Sequence, residues 1–249
     1  MRELDDHDLA YHLATGIGDI VRGTRAGGLL HGRSLARVAN EVAQSWTDEV
    51  LAVHRPEDGT LSEGVADDLS RLDRSRVWII DVIDGTKEFS TGRSDWSVHV
   101  ALVEDGRPTV ASVGLPDSGR VFRSDQVDHV DGPCSGTMVI SRNNPPAGVH
   151  RIAEELGLHV RPMGSAGAKM LSVLLGDADV YLHAGGQYEW DQAAPVAVAM
   201  ASGLHASRPD GSPIRFNKAD PHSPDILVCR PDLAERVLAA TAGWAAAAG

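Results

Sequence analysis

Residues 76–86 read Arg76-Val77-Trp78-Ile79-Ile80-Asp81-Val82-Ile83-Asp84-Gly85-Thr86, an apolar, β-branched run that meets two aspartates and a glycine. The run predicts a buried strand over 76–80 that stops abruptly at Asp81. Asp81 and Asp84 stand three residues apart, and on a strand of period two they face opposite ways. A turn beginning at Val82 is therefore expected if the two carboxylates are to converge. Two such charges about 4 Å apart repel by roughly 4 kcal/mol at an effective dielectric of 20, and a hard cation such as Mg²⁺ turns that repulsion into coordination. Gly85 removes side-chain bulk where a ligand can approach the backbone. Taken alone, Asp84-Gly85 also reads as an ordinary hairpin turn.

Upstream, Leu4, Leu9, Leu13, Ile17, Ile20 and Val21 predict an amphipathic helix over 3–22, and Leu35, Val38, Val42, Trp46, Val50 and Leu51 a second over 33–54. Gly23, Gly27, Gly28 and Gly32 mark a loop between them. Downstream, residues 96–103 and 109–114 flank Glu104-Asp105-Gly106-Arg107 as an antiparallel hairpin, with a third strand over 120–122. Further strands are predicted at 137–141, 180–182 and 226–228, and helices at 148–156, from Lys169 to Leu175, at 191–201 and at 231–240. This alternation implies a mixed sheet between helix layers. The alanine-rich tail Ala245-Ala246-Ala247-Ala248 is expected to fray.

The chain has 249 residues and 42% hydrophobic content, enough for a sizeable core in one large α/β unit or two closely packed halves. Without an apolar run of about 18 residues, and with acidic residues where a signal peptide carries basic ones, it reads as a soluble cytoplasmic protein. Twenty-three basic against 35 acidic residues give −12 with histidine neutral, which argues against nonspecific binding to nucleic acid or an anionic membrane. If the ligand is itself an anion, divalent cations must overcome that repulsion. Cys134 and Cys229 have no second metal-ligand residue at a suitable spacing and read as reduced thiols.

Other residues carry chemistry less sharply. Glu63 alone reads as a solvated charge. Asp191 reads as an N-cap to the alanine-rich helix it opens, a role compatible with facing an anion. Ser165 and Lys169 lie in a glycine-rich strand-to-helix turn, where the bland alternative is an exposed lysine. His99 and His183 sit in apolar strand contexts and read as structural, with backbone partners.

The hexapeptide Asp81-Val82-Ile83-Asp84-Gly85-Thr86 resembles the Asp-Pro-(Ile/Leu)-Asp-Gly-Thr signature of the inositol monophosphatase superfamily at five of six places. Leu61-Ser62-Glu63 resembles that family's glutamate segment, and Glu189-Trp190-Asp191-Gln192-Ala193-Ala194-Pro195 its Trp-Asp signature. Lys87-Glu88-Phe89, Gly164-Ser165-Ala166-Gly167-Ala168-Lys169 and Tyr181-Leu182-His183-Ala184-Gly185-Gly186-Gln187 are similar to the actinobacterial 3'(2'),5'-bisphosphate nucleotidase branch. The resemblance implies an α-β-α-β-α sandwich with mixed sheets, built as one compact unit. Its N-terminal half, 1–125, would carry the Glu63 and Asp81–Thr86 site, and its C-terminal half, 126–249, Asp191 and the substrate side.

The same resemblance implies a Mg²⁺-dependent phosphomonoesterase. Glu63, Asp81 and the Ile83 carbonyl would hold one ion, Asp81, Asp84 and Asp191 a second, and a weak third ion is compatible with the family. Gly85 and Thr86 would offer N–H groups, and Thr86 its hydroxyl, to the phosphate and the attacking water, so that Thr86 and Asp84 count as catalytic. Ser165, Lys169 and Asp191 would face the sugar or a second phosphate. The implied partner is a small phosphorylated nucleotide, adenosine 3',5'-bisphosphate first, and a homodimer is compatible with the family. The alternatives are a phosphatase for inositol monophosphate, a sugar phosphate or a nucleoside 5'-monophosphate, or a catalytically impaired relative that only binds its ligand. Three departures stand out: Gly64 replaces a second glutamate, Val82 replaces proline, and Ala36 stands where alignment on Arg37-Val38-Ala39-Asn40 places an aspartate. Asn40, one helical turn on, is then the polar substitute.

Overall fold

The computed structural model describes residues 4–127 and 132–244, so the alanine-rich tail lies outside the described residues. The first half runs α1 (Asp6–Ala26), α2 (Gly32–His54), β1 (Gly59–Ser62), β2 (Arg76–Asp84), α3 (Thr86–Ser90), β3 (Ser97–Glu104), β4 (Arg107–Leu115) and β5 (Arg120–Arg123). The second runs β6 (Thr137–Ser141), α4 (Val149–Leu156), β7 (His159–Met163), α5 (Ala166–Leu174), β8 (Val180–Tyr188), α6 (Glu189–Ala201), β9 (His205–Ser207), β10 (His222–Cys229) and α7 (Ala234–Thr241).

Local chemistry sets most of these bounds. Asp5 caps α1 by accepting the Asp8 N–H at 2.8 Å, and Leu9, Leu13, Ile17 and Val21 then form one buried stripe. Gly23 remains inside α1, whose end is marked instead by Gly28 at φ 67°. The β3–β4 hairpin turns on Asp105 and Gly106, both left-handed at φ 50° and 71°, which matches the twist of the flanking strands.

Two five-stranded mixed sheets result, ordered β1-β2-β3-β4-β5 and β7-β6-β8-β10-β9. In the first, β1 runs parallel to β2 and the other pairs are antiparallel. In the second, β6 is parallel to β7 and β8, while β10 is antiparallel to β8 and β9. Three apolar cores separate the layers. Leu13, Ile17 and Ala39 of α1 and α2 pack on Trp78, Ile80 and Val100 of the first sheet. Met170, Leu171 and Val198 of α5 and α6 fill the space between the sheets with Val77, Val113 and Tyr181. Ile152 and Val237 of α4 and α7 cover the outer face of the second sheet with Leu182 and Leu227. The architecture is thus the expected α-β-α-β-α sandwich, and its middle core draws on both halves of the chain.

One expectation is corrected. The strand does not stop at Asp81 with a turn from Val82; β2 continues to Asp84. Convergence is reached by a β-bulge instead: Asp81 pairs with His99 and Asp84 with Ser97, so three steps along β2 match two along β3. The extra residue inverts the alternation. Val82 and Ile83 both enter the core under α1 and α2, and both aspartates face the other side of the sheet, the side of Val77 and Ile79. A bulge adjacent to the carboxylates keeps the ladder intact up to the point where a turn would have broken it.

Candidate active site

The bulge delivers Asp81 and Asp84, 2% and 5% exposed, to a cavity of about 250 Å³ between the two sheets. Glu63, just past β1, Ile83, Gly85 and Thr86 line it from the first half of the chain, and Ser165, Lys169, His183 and Asp191 from the second. The residues expected to hold the ions, the phosphate and the substrate therefore meet in one place. Ligand atoms of Asp81, Asp84 and Asp191 lie within 4.8 Å of one another. Glu63 lines the same wall, close enough to this trio for its carboxyl to act on theirs.

Buried like charges perturb each other strongly here. Burial, then the charges of Glu63, Asp84 and Asp191, push the Asp81 carboxyl well above its usual range. Burial and the Asp84 charge push Asp191 up to about 7 and also raise Glu63. Asp84 behaves oppositely: burial works to raise it, yet the charge and hydrogen bond of His99, with help from Lys169 and the Ser165 hydroxyl, hold it well below the ordinary value. Three carboxyls raised by burial and by one another's charge, with the lowered Asp84 beside them, make a cavity wall that gains by accepting a cation.

The remaining contacts fix orientation. Asp84 Oδ2 accepts the Gly167 N–H and the Ser97 hydroxyl, each at 2.9 Å, and the Ser165 hydroxyl. Ser165 also caps α5, accepting the Ala168 N–H at 3.0 Å. The Ile83 N–H donates to Asp81 Oδ1 at 2.9 Å, and the Thr86 hydroxyl donates to the Ile83 carbonyl at 3.0 Å. Gly85 adopts φ 90°, a conformation that opens α3 and that an L side chain resists. Asp191 is the third residue of α6 rather than its N-cap: Tyr188 is the cap, and the Asp191 carboxylate accepts the Tyr188 N–H at 2.7 Å in a capping box.

Lys169 is not the exposed lysine of the bland reading. It is 3% exposed, its ammonium donates to the Gly164 and Ser165 carbonyls and lies 5.2 Å from the centre of the Tyr181 ring, and burial lowers it to about 8. His183 finds the backbone partner expected of it, donating from Nε2 to the Gly185 carbonyl at 2.7 Å, and burial holds it down to about 4. Ala36, by contrast, packs in the apolar core beneath α2, and neither it nor Asn40 is among the described residues lining the cavity.

Sequence reasoning missed part of the wall. Glu88, Ser141, Asn143, Asn144, Gly186 and Gln187 also line the cavity. Arg142 is clamped behind it by Glu88 at 3.0 Å and Asp95 at 2.6 Å. Ser97 and His99, two apart on β3, carried a faint signal as polar residues on one face of an otherwise apolar strand.

Comparison with known proteins places these features in a family. Residues 7–245 match the inositol monophosphatase family. A protein of Mycobacterium leprae named 3'-phosphoadenosine 5'-phosphate phosphatase is 45% identical over 95% of this chain and 93% of its own length. Its namesake in Mycobacterium tuberculosis is 47% identical over 84% of this chain and 82% of its own length. The Escherichia coli 3'(2'),5'-bisphosphate nucleotidase CysQ is 30% identical over 57% of this chain and 62% of its own. Among solved structures, an inositol monophosphatase of Zymomonas mobilis superposes with a TM-score of 0.77 at 24% identity, covering 96% of this chain and 98% of that one, and so supports the fold. With the match spanning nearly all of its length, the chain belongs to the inositol monophosphatase family.

Proposed function

We propose that this protein is a Mg²⁺-dependent phosphatase that removes the 3'-phosphate from adenosine 3',5'-bisphosphate or a close relative of it. The carrying observation is the convergence of Asp81, Asp84 and Asp191, with Glu63 alongside, in a cavity large enough for a phosphate ester. The substrate class follows the relatives named as phosphatases of 3'-phosphoadenosine 5'-phosphate, which match 95% and 84% of the chain.

The donor set fits a hard divalent cation, being all oxygen, largely buried and short of positive charge. Glu63, Asp81 and the Ile83 carbonyl would hold one Mg²⁺ ion, and Asp81, Asp84 and Asp191 a second. Bound there, the pair would polarise the phosphoryl oxygens, acidify a water and stabilise the leaving oxygen.

The chain's own residues do the rest. The Thr86 hydroxyl spends its hydrogen on the Ile83 carbonyl, so its oxygen accepts a hydrogen bond from the attacking water and aims it. The N–H groups opening α3 have no partner within that helix and face the phosphate. Lys169 has three donors and uses two on carbonyls, leaving one for a phosphate or ribose oxygen. Ala36 brings no carboxylate to the cavity, and water activation is assigned to the cation site and Thr86.

Phosphate release from adenosine 3',5'-bisphosphate, inositol 1-phosphate, fructose 1,6-bisphosphate and adenosine 5'-monophosphate, with Mg²⁺ and with excess chelator, tests the proposal. The bisphosphate should be hydrolysed fastest and only with Mg²⁺. A different best substrate would replace the substrate assignment, and tight binding without release would mark a catalytically impaired relative.

A further inference from the structure

His99 is completely buried and belongs to no step of the mechanism above, yet its ring touches both segments that carry the second-ion carboxylates. The Trp190 carbonyl lies 3.0 Å from Nδ1 and has no hydrogen to give, so Nδ1 carries one and donates it. On the other edge of the ring, Nε2 lies 3.3 Å from Asp84 Oδ2 and 2.8 Å from the Ser97 hydroxyl, which itself donates to Asp84 Oδ2. Trp190 immediately precedes Asp191, and its indole stacks on Tyr188, the N-cap of α6, with ring centres 4.8 Å apart. The imidazole is therefore a strut between the bulge of β2 and the first turn of α6.

Space has been cleared for it. A Cβ on Gly167 would fall 2.2 Å from His99 Nε2 and 2.4 Å from Ser97 Oγ. With glycine there, the α5 backbone comes close enough for the Gly167 N–H to reach Asp84 Oδ2. All the hydrogen bonds described for Asp84 thus gather on Oδ2, together with the His99 ring, and none takes Oδ1. A carboxylate gripped by one oxygen presents the other in a fixed direction.

We propose that His99 is a positioning residue that sets the separation of Asp84 from Asp191 and turns Asp84 Oδ1 toward the cation, an inference that rests on the metal-dependent reading of the site. Without the strut, two carboxylates that repel each other relax apart before the cation arrives. Loss of such a supporting contact typically weakens metal binding about 10–100-fold.

The test is Mg²⁺ binding to metal-stripped protein by titration calorimetry, alongside kinetics at saturating Mg²⁺. His99→Phe keeps a ring but no donor, and should weaken Mg²⁺ binding at least tenfold while the KM for adenosine 3',5'-bisphosphate at saturating Mg²⁺ moves less than about threefold. His99→Gln, which keeps one donor, should recover at least threefold of the lost affinity. A role in packing alone predicts no recovery by the glutamine and no preference for Mg²⁺ affinity over KM. In the unaltered protein, nitrogen-15 spectra should show the His99 ring signals shifting as Mg²⁺ is added, a readout independent of whether either variant folds. Mg²⁺ affinity in H99F within threefold of the unaltered protein, or ring signals indifferent to Mg²⁺, would overturn the inference. Failure of the unaltered enzyme on every nucleotide would defeat the substrate assignment and leave the Mg²⁺ comparison standing.

Discussion

Replacing Asp191 with asparagine should make the metal-free protein more stable and blunt its response to Mg²⁺. Ligand atoms of Asp191 and its two aspartate neighbours lie within 4.8 Å of one another. At that distance and an effective dielectric of 20, two carboxylates repel by about 3.5 kcal/mol. The protonation behaviour gives a similar size: Asp191 is raised from 3.8 to about 7 by burial and the Asp84 charge, which at about 1.4 kcal/mol per pH unit amounts to roughly 4 kcal/mol. Relaxation of the site reduces both figures, so a gain of about 2–4 kcal/mol is expected in chelator at pH 8, or a Tm higher by roughly 5–10 °C for a chain of this size.

The sign follows from proton linkage. A carboxyl whose folded value is raised contributes stability that is intact below its unfolded value, declines from about pH 4, and is gone above about pH 7. The advantage of D191N should accordingly shrink to about a third at pH 5. The asparagine carbonyl can still accept the Tyr188 N–H now held at 2.7 Å, so the α6 cap survives. Thermal unfolding with chelator and with 10 mM Mg²⁺, at pH 5 and pH 8, is the assay. An Asp191→Asn protein no more stable than the unaltered one in chelator at pH 8, or one equally stabilised by Mg²⁺, would refute the reasoning.

Three further outcomes follow from individual contacts. Thr86→Val removes the hydroxyl that aims the water and should lower kcat about 100-fold while Mg²⁺ affinity by calorimetry stays within threefold; unchanged kcat would remove Thr86 from the mechanism. Gly167→Ala drives a methyl into His99 and Ser97 and should cost about 1–3 kcal/mol in thermal unfolding, an effect absent if the α5 turn can simply shift. Lys169 is held down to about 8 by burial, so its charge is lost as pH rises through that value and the KM for a bisphosphate should climb above pH 8. Lys169→Met should raise KM roughly tenfold at pH 7 and flatten that climb; an unaltered climb would assign it to another group.

What the sequence made legible was local. Residues 76–86 carry their own strand propensity and their own glycine, and the helices of the first half announce themselves through apolar spacing. The hairpin turn at Asp105-Gly106 needs only two residues to specify it. The bulge was illegible because it exists only in the pairing of Asp81 with His99 and Asp84 with Ser97, a register that no single strand encodes. His99 was read as structural for the same reason: on β3 it and Ser97 are polar residues in an otherwise apolar run, and its meaning comes from Asp84 across the sheet and Trp190 on a helix of the other half. Strands β1, β7 and β9 escaped notice because each has five residues or fewer, β1 without alternation and β7 mostly exposed. Lys169 was ambiguous because its burial is set by Tyr181 of β8, distant in sequence. Ala36, the residue that alignment sets at the aspartate position, lies in the apolar core and does not itself line the cavity.

Crystals soaked in Mn²⁺, read by anomalous scattering, bear most directly on the idea that Glu63, Asp81, Asp84 and Asp191 share divalent ions. Two peaks roughly 3.5–4 Å apart are predicted, both touching Asp81, one also touching Glu63 and the Ile83 carbonyl, the other Asp84 and Asp191. Peaks elsewhere, or none in this cavity at saturating Mn²⁺, would contradict it.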